Sequence, residues 1–171
     1  SIFNQTDFSY NISAGSVKHK LLFGMELGQQ DTDNFRNTGY FPGNVTSVTV
    51  PLSNPTTSLP IQYRQSATDA DNSGKAKVAA LYFQDQIELS PQFQIVGGLR
   101  YDKFTVDFRN NRNGQTFDTS DGLVSPRVGV IYKPVEAVSL YANYSVAYQP
   151  RAGDQLSSLS LTNAALKPEK F

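Results

Sequence analysis

The chain has 171 residues, with Lys+Arg and Asp+Glu both at 15, so no net field favours nucleic acid or an acidic partner. Zero cysteines exclude a disulfide framework and a thiolate metal site, and no run of about 18 apolar residues exists to form a transmembrane helix. Hydrophobic residues make up 39%, low for a globular core, yet there are 9 Tyr and 11 Phe, so where the apolar residues fall is the informative question.

The opening segment already alternates, with Phe8, Tyr10 and Ile12 against Ser9, Asn11 and Ser13. A strand points successive side chains to opposite faces, so the chain starts on a strand. With no initiating Met before it, a piece of a longer protein is expected. The next strand is VKHKLLFGMELG: Val17, His19, Leu21, Phe23, Met25 and Leu27 oppose Lys18, Lys20, Leu22, Gly24, Glu26 and Gly28. A long connector, Gln30 to Gly74, follows. In AALYFQDQIEL, Ala79, Leu81, Phe83, Ile87 and Leu89 share a face on which Asp85 is the misfit. In FQIVGGLRYD, Phe93, Ile95, Gly97, Leu99 and Tyr101 share a face. The parity then flips to Phe104, Val106 and Phe108. Either a β-bulge near Lys103 or departure of the strand from apolar surroundings explains the slip.

A second longer connector, Asn110 to Gly122, precedes VSPRVGVIYK, where Val124, Pro126, Val128, Val130 and Tyr132 align. The last strand, VSLYANYSVAYQ, places Leu140, Ala142, Tyr144 and Val146 on one face and Ser139, Tyr141, Asn143 and Ser145 on the other. Its pattern holds from Val138 to Gln149, longer than the about 5–6 residues usual in globular strands. In the tail, NAALKPEKF offers a turn of helix that Pro168 stops.

The short connectors (Ser13–Val17, Ser90–Gln92, Lys133–Ala137) alternate with the long ones (Gln30–Gly74, Asn110–Gly122, the tail after Gln149). In an up-and-down meander all short turns lie at one end and all long loops at the other. Strands of about 9–11 residues cross a bilayer when tilted, and short periplasmic turns, longer outer loops and aromatics near strand ends mark a transmembrane β-barrel. The expected fold is therefore all-β: an antiparallel meander of about six long strands, a partial segment of such a barrel. Residues 1–171 form a fragment of one barrel domain, and 30–74 form its long extracellular loop. A soluble β-sandwich explains the alternation but neither the strand length nor the loop asymmetry.

Three motifs carry a family resemblance: Tyr82, Gln84 and Asp85 followed by Gly98-Leu99-Arg100-Tyr101-Asp102; Ser125-Pro126-Arg127 leading to Gly129 and Tyr132-Lys133-Pro134; and Leu166-Lys167-Pro168-Glu169. With GSVKHKLLFGMELGQ, they resemble the barrel domain of TonB-dependent siderophore receptors of the Gram-negative outer membrane. The resemblance implies import of ferric siderophores by a barrel of about 22 strands around an N-terminal plug, energised through TonB. The chain departs from that architecture by omission: it has no plug, no TonB-contacting box and too few strands to close, so TonB would act through the absent plug domain. Iron arrives already chelated, so no cofactor or protein metal ligand is expected. Lipid of the outer membrane is the remaining expected partner. A passive porin or adhesin barrel is the rival reading, and a barrel hydrolase using His19, the sole histidine, is a weaker one.

His19 sits on an apolar parity with no second metal-binding group at a useful spacing, so a structural or interfacial role is expected. Asp85, Glu88, Arg100, Asp102 and Arg127 read as cross-strand charge pairs near the membrane edge in preference to a polar lumen that contacts plug or substrate, with Asp85 placed beyond the hydrocarbon near the short-turn end. NNRNGQTFDTSDG lacks the acidic spacing of a calcium loop, and NVTS is an idle glycosylation match in a bacterial envelope. A bulky, anionic catecholate chelate suits aromatic faces and arginines. The candidate ligand contacts are accordingly Arg36, Tyr40, Phe41, Tyr63 and Arg64 in the long loop, with Arg112 and Arg151 in the other two.

Overall fold

The computed structural model describes residues 1–149 and 167–171. Six long strands form one antiparallel sheet in the order β1-β2-β5-β6-β7-β8. They are β1 (Ile2–Ala14), β2 (Val17–Phe35), β5 (Asp71–Ser90), β6 (Phe93–Asn110), β7 (Thr116–Val135) and β8 (Val138–Ser145). Two small ladders stand apart: β3 (Thr38–Tyr40) with β4 (Gln62–Arg64), and β9 (Tyr148–Gln149) with β10 (Glu169–Lys170). The meander is as expected. Its turns follow from local chemistry: Gly15 and Ser16 join β1 to β2, and only Gly15 takes positive φ (66°), the pattern a type II′ turn requires of glycine. At the β5–β6 turn the Ser90 hydroxyl accepts the Phe93 N–H at 3.1 Å.

The strands run further than expected at the long-loop end. Residues 30–35 pair with residues 71–76, so the long loop is 36–70 rather than 30–74. Thr116–Gly122 likewise belongs to β7, leaving 111–115 as the connector. No bulge lies near Lys103, where Ala79 and Gly122 flank Lys103 in uninterrupted register. The irregularities fall at the other end, between Glu88 and Ser90 and between Tyr132 and Val135.

The parity flip has a different cause. Up to Tyr101 the odd residues of β6 are apolar; beyond it they are Lys103, Thr105, Asp107 and Arg109. On the other face Phe104, Val106 and Phe108 succeed Arg100 and Asp102. The strand therefore keeps its register while its two faces exchange polarity. Val106 is 1% exposed and packs with Ala76 and Phe108, against which Phe104 and Phe117 rest. The Phe108 and Phe117 rings stack at 4.8 Å. Below the exchange, Phe8, Phe23, Phe83, Leu99 and Val128 lie exposed on one continuous apolar face. From Phe93 to Tyr101 this face is about nine residues deep, the depth a tilted strand needs to cross hydrocarbon.

β8 ends earlier than the alternation of Val138–Gln149 suggests. The Val146 N–H donates to the Pro126 carbonyl at 3.0 Å, but Pro126 has no N–H to return, and the ladder stops. Val146 is buried rather than exposed. Ala147 then exchanges backbone hydrogen bonds with Phe171, and Tyr148–Gln149 pairs with Glu169–Lys170. A strand therefore does follow Lys167-Pro168.

Candidate functional site

The long loop is closed at its base by a knot around Asp69. Asp69 is buried and accepts Arg36 Nε at 2.9 Å, the Thr38 hydroxyl at 2.7 Å and the Ser66 backbone N–H at 2.7 Å. The Ser66 N–H above all, then Thr38 and Arg36, hold its carboxyl well below the usual carboxylate range, against the opposing effect of burial. It is an anion throughout the neutral and mildly acidic range. From the neighbouring connector, Arg112 donates to the carbonyls of Ala67, at 2.7 Å, and Ser66. Asn111 adds a backbone bond to the Asp71 carbonyl at 2.9 Å. Arg36 and Arg112, both candidate ligand contacts, thus hold the loop to itself and to its neighbour.

The remaining candidates share one small hairpin. Tyr40 ends β3 and Tyr63 and Arg64 lie on β4, in register, with Gly39 opposite Tyr63. The Arg64 guanidinium sits 4.4 Å from the centroid of the Tyr40 ring and donates to Asn44 Oδ1 at 2.8 Å. Asn44 takes φ 61° after Gly43 at φ 85°, turning the chain so that Phe41 bridges Val45. Tyr63 presents the most open ring of the group, 70% exposed. Tyr40 and Arg64 thus share one face of the hairpin, while Tyr63 lies over Gly39 on the other. Arg151 lies outside the described residues.

Below the loops, the polar face carries a network across four strands. Arg100 on β6 makes a forked contact with Asp102 (2.7 Å from Nη2, 2.9 Å from Nε) and reaches Glu26 on β2 at 2.9 Å. Its guanidinium also lies 5.4 Å from the centroid of the Tyr82 ring on β5. The Tyr82 hydroxyl bonds to Asp7 on β1 and receives Gln5 Nε2 at 2.8 Å. Arg127 bonds to Gln84, and Gln86 to Gln94. Tyr82 spans from β5 to β1 because Gly24 on the intervening strand has no side chain, and a Cβ there would overlap the Tyr82 ring and the Asp7 carboxylate. Gly24→Ala should lower stability by about 1–3 kcal/mol, read from the urea midpoint of the protein in detergent.

Asp85 departs from its expected place. Ile87 and Leu89 lie on its face and nearer the turn, so it sits within the apolar face and not beyond it. His19 Nδ1 donates to its Oδ2 at 2.8 Å. Among the described residues no hydroxyl bonds to His19, as a hydrolytic nucleophile would.

Three comparisons set this geometry among known proteins. A family model described as "TonB dependent receptor-like, beta-barrel" matches residues 1–170. The metal-pseudopaline receptor CntO of Pseudomonas aeruginosa UCBPP-PA14 is 28% identical over 168 residues, covering 90% of this chain and 22% of that protein. The probable TonB-dependent siderophore receptor PiuA of Acinetobacter baumannii is 24% identical over 190 residues, covering 98% of this chain and 25% of that protein. The crystal structure of that receptor superposes with a TM-score of 0.80 at 22% identity, over 98% of this chain and 27% of the other. The ferric-catecholate import receptor Fiu of Escherichia coli K12, in its closed form, superposes at 0.75 with 22% identity, over 98% of this chain and 27% of the other. The chain spans about a quarter of the length of the relatives it matches.

Proposed function

From the premise that this chain belongs to the TonB-dependent receptor β-barrel family of the Gram-negative outer membrane, we propose that it forms part of the wall and outer mouth of a ferric-siderophore uptake barrel. The observation that carries the reading is the β3–β4 ladder of the long loop, which sets the Arg64 guanidinium over the Tyr40 ring on one face and the open Tyr63 ring on the other. A bulky anionic chelate meets ring faces and a guanidinium there, while Asp69, Arg36 and Arg112 hold the hairpin in position. Arg151 completes the candidate set.

The chelate then passes along the polar face, whose Gln5, Glu26, Arg100 and Arg127 make a wet lumen wall. Coupling to TonB runs through a plug domain that these residues do not include. Iron enters as cargo inside its chelator and requires no ligand from this wall.

The test is ferric-siderophore binding to the full-length receptor. Changing Tyr40, Tyr63 and Arg64 together to Ala should weaken binding at least about tenfold, the scale of one or two desolvated cation–π or arginine contacts. Asp69→Ala should weaken it through displacement of the hairpin, visible as faster amide exchange in residues 38–40 and 62–64. Unchanged affinity in the triple variant would refute loop capture. Uptake that persists without TonB would instead favour a passive pore.

A further inference from the structure

Two lysines stand on the apolar face where its polarity changes. Lys103 on β6 pairs with Ala79 on β5, and Lys77 pairs with Thr105, so the two are diagonal neighbours on one face. Their Cα atoms are about 7–8 Å apart, close enough for both ammonium groups to meet over one anion. Both are exposed. Among the described residues neither has a carboxylate within ion-pair distance, whereas Lys75, one rung further out, is 3.4 Å from Asp31. Asp107 begins on that outer rung, opposite Lys75.

Their level is fixed by Tyr101. Its ring lies over Gly122, the partner of Lys103, with the hydroxyl reaching that rung. An aromatic with its polar end at the membrane–water boundary is the usual interfacial anchor, so Lys103 sits at headgroup depth. A groove of about 580 Å³ runs between the lysines, and Ile2, Leu27 and Ala79 line it with Thr105. Leu27 and Ala79 continue directly into the apolar face.

We propose that this groove holds a phosphate-bearing lipid of the leaflet on the long-loop side. Lys77 and Lys103 share the phosphate, Thr105 offers a hydroxyl, and the apolar floor takes the upper part of an acyl chain. Charge complementarity selects an anion. The apolar floor selects one carried on a hydrocarbon chain, since free phosphate meets only half of the site. The inference rests on the membrane placement of the apolar face and not on the cargo, so failure of the siderophore-binding test leaves it standing.

The experiment titrates the full-length receptor in detergent with diphosphorylated lipid A, with lipid A stripped of its phosphates and with inorganic phosphate, and counts bound lipid by native mass spectrometry. The wild-type receptor should prefer the phosphorylated lipid by roughly ten- to thirtyfold, the scale of two interfacial lysines. Lys77→Gln and Lys103→Gln should each lose part of that preference and the double variant all of it, while Lys75→Gln keeps it. A double variant within about twofold of wild type, or equal binding of the stripped lipid, would overturn the proposal. Inorganic phosphate displacing the lipid at equal concentration would overturn the lipid as the source of the anion.

Discussion

A lysine in place of Leu99 should cost the folded barrel about 2–4 kcal/mol, while a lysine in place of Tyr141 should cost less than about 0.5 kcal/mol. Both side chains are exposed, Leu99 at 52% and Tyr141 at 82%. Exposure therefore does not separate them; the medium does. Leu99 lies opposite Phe83 on the face that also carries Phe23 and Phe8. In a bilayer a lysine there must leave water for hydrocarbon or draw the headgroups toward it. Tyr141 lies on the opposite parity of β8, with Asn143 and Ser145, and looks into a wet space. Urea unfolding of the full-length receptor in lipid vesicles measures both. Equal costs would mean that the face assignment is wrong, whatever else about the sheet is right.

Arg100→Ala should be the most damaging change on the other face. Arg100 holds Asp102 by a fork and Glu26 by a second arm, and it touches the Tyr82 ring. Hydrogen bonds to charged partners are worth about 1.5–3 kcal/mol. The guanidinium is about one-third exposed, so screening takes the expected loss toward 2 kcal/mol. Two carboxylates are then left on one face without their cation. Neutralising one of them should recover part of the loss, so Arg100→Ala with Glu26→Gln should be more stable than Arg100→Ala alone. Arg100→Lys should fall between, since an ammonium keeps the charge but not the fork. A double variant no better than the single one would show that Glu26 contributes nothing to the network.

The alternation that made the wall legible was a property of single strands, and what it missed was mostly set by neighbours. Leu140 against Tyr141 could be read directly, because period two is local. The early end of β8 could not, since its cause is Pro126 on the adjacent strand. Thr116–Gly122 read as a loop because its outward residues are polar, yet it continues β7 above the apolar band, where polar side chains belong outside. The flip after Lys103 was visible, and one of its two explanations was right, but pattern alone could not choose between a slipped register and a changed medium. At the site, Arg36 and Arg112 were picked out by type, while Asp69, which organises the loop base, gave no signal among small polar residues. Gly24 did give one: a glycine inside an otherwise regular strand marks a close approach, here that of Tyr82.

The exchange of polarity at Lys103 also sets a height. From Lys103 to Asn110 the strand continues for eight residues, about 26 Å of path and roughly 18 Å of vertical rise at the tilt usual in such barrels. The loops are therefore carried on a stem and not laid on the membrane. Ionic screening at physiological salt has a decay length of about 8 Å, so the repulsion that an anionic leaflet exerts has fallen to roughly a tenth of its surface value at the rim. An anion that approaches the rim meets a field almost as weak as if the membrane beneath it were neutral.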